Sequence, residues 1–266
     1  MKGWMVGLAL VIVLVAAGTG LWITWDDTQT SRASPAGRVA DLAPPSTAAA
    51  DTRPTTTMAL APPCRFGDDP VTTDPATDWA TTIVDTRYRL PEDFVPPDLV
   101  PVTEAGFDSQ DQVREVMIED LGAMRAEAEA AGAPFVVVSG YRSFSYQAQL
   151  YLERVAQVGE EEANRRTARP GHSEHQLGTA IDVLDPQGAD LTTAFADTPT
   201  GRWIADHAHE FGFVLSYPEG GIDRTCYDYE PWHLRYVGRD VAAEIHELGI
   251  TPREWMAAQA ARDQEG

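Results

Sequence analysis

The chain has 266 residues, 43% of them hydrophobic, a formal net charge of -21 and a pI near 4.5. That length and apolar content suit one ordinary domain plus an appendage. The acidity argues against a nucleic-acid partner, because phosphate contacts need clustered Lys and Arg.

The N-terminus comes first. After Met1 and Lys2, residues 3–25 carry no charge and are rich in Leu, Val and Ala. As a helix they would reach roughly 34 Å, enough to cross a hydrocarbon core of about 30 Å. Asp26 and Asp27 follow at once, and this asymmetry directs the bulk of the chain outward. A cleaved signal peptide is the rival reading, with Ala16, Ala17 and Gly18 as weak cleavage candidates. Trp22 and Trp25 favour an uncleaved anchor, as interfacial residues do. Residues 1–27 are therefore expected to form a membrane anchor or signal segment. Residues 28–63, dominated by Thr, Ala, Pro, Ser and Asp, cannot bury a core and are expected to be a disordered linker. Residues 64–266 have globular composition. The protein is expected to work outside the cytoplasm, held to the membrane by its N-terminal segment or secreted if that segment is cleaved.

Within the globular part the spacing predicts a helix over 111–131, with Val113, Val116, Met117, Leu121 and Met124 on one stripe, Ser109 as its cap and Gly132 as its stop. A buried strand is expected over 135–138, a helix over 145–158 ended by Gly159, and a strand over 179–184. A helix over 200–210, strands over 213–217 and 232–237, and helices over 240–248 and 252–261 complete the chain. Strands and helices mix without a regular βαβ repeat. The fold class is α+β, a small antiparallel sheet with flanking helices. Cys64 and Cys226 are the only cysteines and lie in the exported part, so a disulfide between them is expected, the alternative being two free thiols.

Two stretches carry chemistry. In Ser173-Glu174-His175-Gln176-Leu177-Gly178-Thr179-Ala180-Ile181-Asp182, strand alternation puts Gly178, Ala180 and Asp182 on one face and apolar residues on the other. In Glu230-Pro231-Trp232-His233-Leu234-Arg235-Tyr236, His233 and Arg235 share a face opposite Trp232, Leu234 and Tyr236. A regular strand would put Glu230 across from His233, but Pro231 disfavours a continuous ladder, and a turn there would swing Glu230 towards it. Each stretch alone reads more simply as an ordinary core strand. Together they supply two imidazoles, an aspartate and a further glutamate. Two His and one carboxylate are a common catalytic zinc set, and an unligated Glu beside them suits a general base. His172 reads as structural rather than as a ligand. His207, His209 and His246, on predicted helices without carboxylates at useful spacing, read as surface or packing residues. Lys2 is the only lysine, so Arg is the default base and an Arg in a motif means little alone.

The pattern Ser-x-His-x-x-Gly-x-Ala-x-Asp followed by Glu-Pro-Trp-His resembles the VanY-type D-alanyl-D-alanine carboxypeptidases, relatives of the VanX dipeptidases that share a fold with Hedgehog signalling domains. The resemblance takes in Ser139-Gly140-Tyr141-Arg142-Ser143, Gln147, Pro170-Gly171-His172, Phe211-Gly212-Phe213 and His233 to Gly238, from about Arg87 to the C-terminus. It implies a Hedgehog/DD-peptidase-like fold and a zinc ion (Zn2+) bound by His175, Asp182 and His233. It further implies Glu230 as base, Arg142 as a group that stabilises developing charge or engages substrate, and Gln147 and Ser173 as holders of the substrate's terminal carboxylate. The implied activity is removal of a C-terminal D-alanine from peptidoglycan stem peptides, with D,D and L,D specificity both open. A dipeptidase or endolysin-like endopeptidase on the same fold is the alternative, and a non-catalytic wall-binding module is a third. Ser216 departs from the family, whose members often carry a basic residue before the equivalent of Tyr217. A monomer is expected.

Overall fold

The computed structural model describes residues 62–188 and 190–265. The anchor expected over 1–27, and nearly all of the linker expected over 28–63, lie outside the described residues. Among the described residues no helix is long and apolar enough to cross a membrane.

An irregular N-terminal stretch carries four short strands. β1 (Asp69–Pro70) pairs parallel with β2 (Tyr88–Arg89), and β3 (Leu99–Pro101) pairs antiparallel with β4 (Gln112–Arg114). There follow α1 (Ile118–Ala130), β5 (Val136–Ser139), α2 (Phe144–Val158), α3 (Glu160–Arg166), β6 (Ala180–Leu184) and α4 (Pro199–His207). The chain closes with β7 (Phe213–Leu215), α5 (Ile222–Thr225), β8 (His233–Tyr236), α6 (Arg239–Leu248) and α7 (Pro252–Glu265). The four later strands form one antiparallel sheet in the order β5-β6-β8-β7. This is the small antiparallel sheet with flanking helices expected from the sequence.

The sheet's two faces divide the labour. Phe135, Val137, Ile181, Val183, Leu234 and Tyr236 point into the main core, where α1 contributes Leu121 and Met124. Asp182, His233 and Arg235 alternate with them and so face the other way. Val214 of β7 packs with Ile245 of α6 and Trp255 and Met256 of α7 in a second cluster.

The predicted helix over 111–131 is corrected at its start. Residues 112–114 are β4, Glu115–Met117 is a 3-10 turn, and the α-helix begins at Ile118. Ser109 caps no helix; its hydroxyl accepts from the Asp111 N–H instead. Val113, Met117, Leu121 and Met124 are all buried, but Val116 is 42% exposed. The apolar stripe was satisfied by a strand and a turn as well as by a helix. The strand expected as buried over 135–138 lies at the sheet edge, with Val136 and Val138 outward at 37% and 41% exposure. Ser143, not Ser145, opens α2, accepting from the Tyr146 N–H, and Gly159 ends it at φ +84°.

Cys64 and Cys226 are joined, their Cα atoms 5.3 Å apart across a sequence separation of 162. Cross-linking so long a loop restricts the unfolded chain, which is worth about 2–4 kcal/mol in typical proteins. Reduction of the exported protein is expected to lower its urea midpoint correspondingly, with a similar shift in Cys64→Ser. An unchanged midpoint would locate the stability elsewhere.

Candidate metal centre

β6 and β8 pair with Asp182 directly opposite His233, and Ala180 opposite Arg235. His175 comes from the 3-10 turn Glu174–Leu177 that precedes β6, ended by Gly178 at φ +73°. The loop after β5 passes beneath it. Gly140 there abuts β4 so closely that a Cβ would collide with the Gln112 carbonyl, which explains the glycine.

His175, Asp182 and His233 are all buried, and one donor atom from each lies within 4.8 Å of the others. The tautomers follow from what the remaining ring nitrogens do. His175 Nδ1 is 2.7 Å from the Gly140 carbonyl, so it donates there and leaves Nε2, 3.3 Å from Asp182 Oδ1, to ligate. His233 Nε2 is 2.9 Å from Glu174 Oε2, which leaves Nδ1, 3.1 Å from Asp182 Oδ1. Tetrahedral zinc with donors at about 2.0–2.1 Å requires donor separations of about 3.4 Å. The two imidazole–carboxylate spacings fit a zinc ion. Arg142 Nη2 lies 2.6 Å from His175 Nε2 and 2.5 Å from Asp182 Oδ2, so a cationic group already answers the charge of the cluster.

The electrostatics agree with a ligand set. Burial, reinforced by the Arg142 guanidinium, pulls His175 down to about 4, so its imidazole is neutral at pH 7. Burial pushes Asp182 upward, but His175 and Arg142 outweigh it and hold the carboxyl well below its usual range. Burial lowers His233, yet hydrogen bonds to Asp182 and Glu174 raise it to about 10, so metal binding here displaces a proton.

Glu230 approaches from a turn. The His233 N–H donates to the Glu230 carbonyl at 3.1 Å, and the Glu230 N–H donates to Tyr217 O at 3.1 Å. Pro231 lies inside that turn, and Glu230 and His233 consequently line one cavity, of about 330 Å³. Burial pushes the Glu230 carboxyl up to about 7, with His233 acting against the rise and Asp182 adding to it. Among the described residues no side chain hydrogen-bonds to the Glu230 carboxylate. Gln147 and Ser173, both buried, line the same cavity. Gln147 accepts from Arg142 Nη1 at 3.4 Å and donates to the Ala168 carbonyl at 2.7 Å. All seven residues singled out for the metal, the base and the substrate thus converge on one cavity.

His172 stands apart. Its Nδ1 is 2.7 Å from the Asp85 carbonyl and its Nε2 3.2 Å from Asp68, so it fastens the N-terminal stretch, in keeping with a structural role. His207 does have a carboxylate partner, Glu210 at 2.9 Å, contrary to expectation, because side chains three apart are neighbours on a helical turn; the pair is exposed. His209 and His246 stack at 3.5 Å and line a different cavity from that of the metal ligands.

Sequence reasoning missed the support behind His233. Glu174 is buried and binds Arg235 Nη1 at 2.8 Å and Ser216 Oγ at 2.6 Å in addition to His233. Burial pushes its carboxyl up, but Arg235 and His233 outweigh this and lower it to about 2. Glu174 is therefore committed as an anion to its partners. The Tyr217 ring stacks on His233 with centroids 4.9 Å apart. The available signal was the shared strand face of His233 and Arg235, two polar residues that needed a buried counter-charge.

Two imidazoles, a carboxylate and an unpaired glutamate around one cavity are the donor set of a mononuclear hydrolytic metal centre. A family model described as "VanY: D-alanyl-D-alanine carboxypeptidase" matches residues 110–239. The chain is 39% identical over 178 residues to the putative carboxypeptidase YodJ of Bacillus subtilis (strain 168), covering 65% of each chain. Its structure resembles that of the LdcB LD-carboxypeptidase at TM-score 0.61 and 37% identity, covering 66% of this chain and 85% of that one. It also resembles a vancomycin-resistance D,D-pentapeptidase VanY in complex with Zn(II), at TM-score 0.58 and 26% identity over 67% of this chain and 99% of that one. The chain belongs to the VanY D-alanyl-D-alanine carboxypeptidase family. It spans 50 to 65% of the length of the first three curated relatives it matches.

Proposed function

We propose that this protein is a zinc-dependent carboxypeptidase that removes the C-terminal D-alanine from peptidoglycan stem peptides. The observation that carries the reading is that the Glu230 side chain, with no side-chain hydrogen bond among the described residues, lines the same cavity as the His175–Asp182–His233 trio. A wall-binding module would have no use for such a base. Similarity to both D,D- and L,D-carboxypeptidases supports the substrate class.

His175, Asp182 and His233 would hold a zinc ion, which when bound would supply Lewis acidity to the scissile carbonyl and to a water molecule. Glu230 takes the proton of the attacking water and later delivers it to the leaving amine nitrogen. Arg142 holds charge developing on the carbonyl oxygen. Gln147 and Ser173 hold the terminal carboxylate of the peptide, with an amide and a hydroxyl. Membrane tethering through residues 3–25, or secretion if they are cleaved, belongs to the same proposal. The Cys64–Cys226 disulfide supports an extracytoplasmic site, since disulfides persist in oxidising compartments.

A stem peptide and its C-terminal amide distinguish this reading from an endopeptidase. Losing the carboxylate leaves the polar clamp unpaired, at about 1–3 kcal/mol per group. The amide is expected to be cleaved at least about tenfold less efficiently, a factor worth about 1.4 kcal/mol. Mass spectrometry of the products checks it. Equal cleavage of both peptides, or cutting at an internal bond, would overturn the reading.

A further inference from the structure

A second cavity, of about 630 Å³, opens beside the first. The two share Arg154, Arg166, Thr167, Leu191, Glu230 and Trp232. Gln147 and Ser173 line only the first. Glu230 therefore stands at the junction. A peptide with its terminal carboxylate at Gln147 and Ser173, and its scissile bond before Glu230, must run its acyl half into the second cavity.

That cavity is basic. In a chain of net charge -21, Arg154, Arg165 and Arg166 converge on it, against Asp228 and Glu230. Asp228 is used as a brace, with Oδ1 2.8 Å from Arg165 Nη2 and Oδ2 3.0 Å from Arg166 Nε, and Arg166 Nε also lies 3.3 Å from Glu162. Arg154 reaches the cavity from α2, at the position one turn beyond Leu150, which lines the first cavity. Among the described residues Arg154 has no carboxylate partner. A guanidinium at the junction of a substrate groove, with no ion-pair partner among the described residues, is matched to an anion carried by the substrate.

We infer that the second cavity binds a free carboxylate in the acyl half of the peptide, with Arg154 as its principal partner and Arg166 beside it. The inference rests on the carboxypeptidase reading for the direction of the peptide. Its chemistry has two sources, a side-chain carboxylate on the residue before the scissile bond or a carboxylate one residue further upstream.

Two pairs of peptides ending in D-alanine separate these sources, each pair comparing a carboxylate with its carboxamide at one of the two positions. Two readouts are taken on the full zinc-loaded chain: kcat/KM for the wild type, and calorimetric affinity for Glu230→Gln. The carboxamide is expected to lose about tenfold in both readouts in one of the pairs, as a charge-assisted hydrogen bond warrants. Arg154→Gln should bring that ratio towards unity, and Arg166→Gln should reduce it partly. If no peptide is cleaved, the carboxypeptidase reading fails, while the affinities on Glu230→Gln still decide the carboxylate site. Equal affinities within both pairs would overturn the inference. So would a preference that survives undiminished in both arginine variants.

Discussion

Glu230→Gln is expected to keep the metal and lose about 10²- to 10⁴-fold in kcat, the usual worth of a general base. The change is nearly isosteric. The Glu230 N–H and carbonyl that build the turn are backbone groups and survive it. None of the three metal donors comes from Glu230, so metal content should be unchanged. The protonation state gives a second readout. Burial raises the Glu230 carboxyl to about 7 in the metal-free chain, and a dication nearby can only lower it. A base must be ionised, so kcat/KM should fall as pH drops through an acid limb at or below about 7 and level off above it. The pH profile of the wild type, together with metal analysis and kcat of the variant, tests both statements. Activity within a few-fold of wild type would move the base elsewhere. Loss of metal along with activity would make Glu230 a structural residue.

The ease with which the site could be read depended on periodicity. β6 and β8 were legible because a period of two sorts Ile181 and Val183 from Asp182, and Leu234 and Tyr236 from His233, with no knowledge of the rest of the chain. Pro231 gave the turn that brings Glu230 round. The helix start was misread because the stripe Val113, Met117, Leu121 and Met124 is equally buried by a strand, a 3-10 turn and a helix in succession. Pairing with β3, eleven or more residues earlier, decided between them, and no local pattern encodes that pairing. α3 was missed for another reason. Its seven residues bury only Ala163, so no apolar period marks it, although it supplies Arg165 and Arg166 to the second cavity. Glu174 was illegible as a support because its partners Ser216 and Arg235 are 42 and 61 residues away and meet it only once the sheet has formed.

Removing Glu174 is expected to be the most damaging change outside the metal ligands and the base. Arg235 is 1% exposed, and its guanidinium is neutralised by Glu174 while also donating to the carbonyls of Trp79 and Thr82 at 2.8 and 2.7 Å. Glu174→Ala leaves that charge buried without compensation, which costs about 3–5 kcal/mol for a broken buried pair. It also frees the His233 Nε2 hydrogen bond that fixes which nitrogen faces Asp182. Loss of such a support behind a metal-ligating imidazole costs about 10- to 100-fold in metal affinity. A purely structural role would lower stability without changing affinity in the chain that remains folded. Glu174→Gln and Ser216→Ala separate the two effects. The glutamine loses the charge but keeps an oxygen within reach of His233, whereas Ser216→Ala keeps the charge and removes one hydrogen bond at 2.6 Å. Urea unfolding and competitive zinc titration, made below the unfolding transition, are therefore expected to rank Glu174→Ala below Glu174→Gln, and Glu174→Gln below Ser216→Ala, in both stability and affinity. Wild-type zinc affinity in a destabilised Glu174→Ala would confine Glu174 to holding the N-terminal stretch through Arg235.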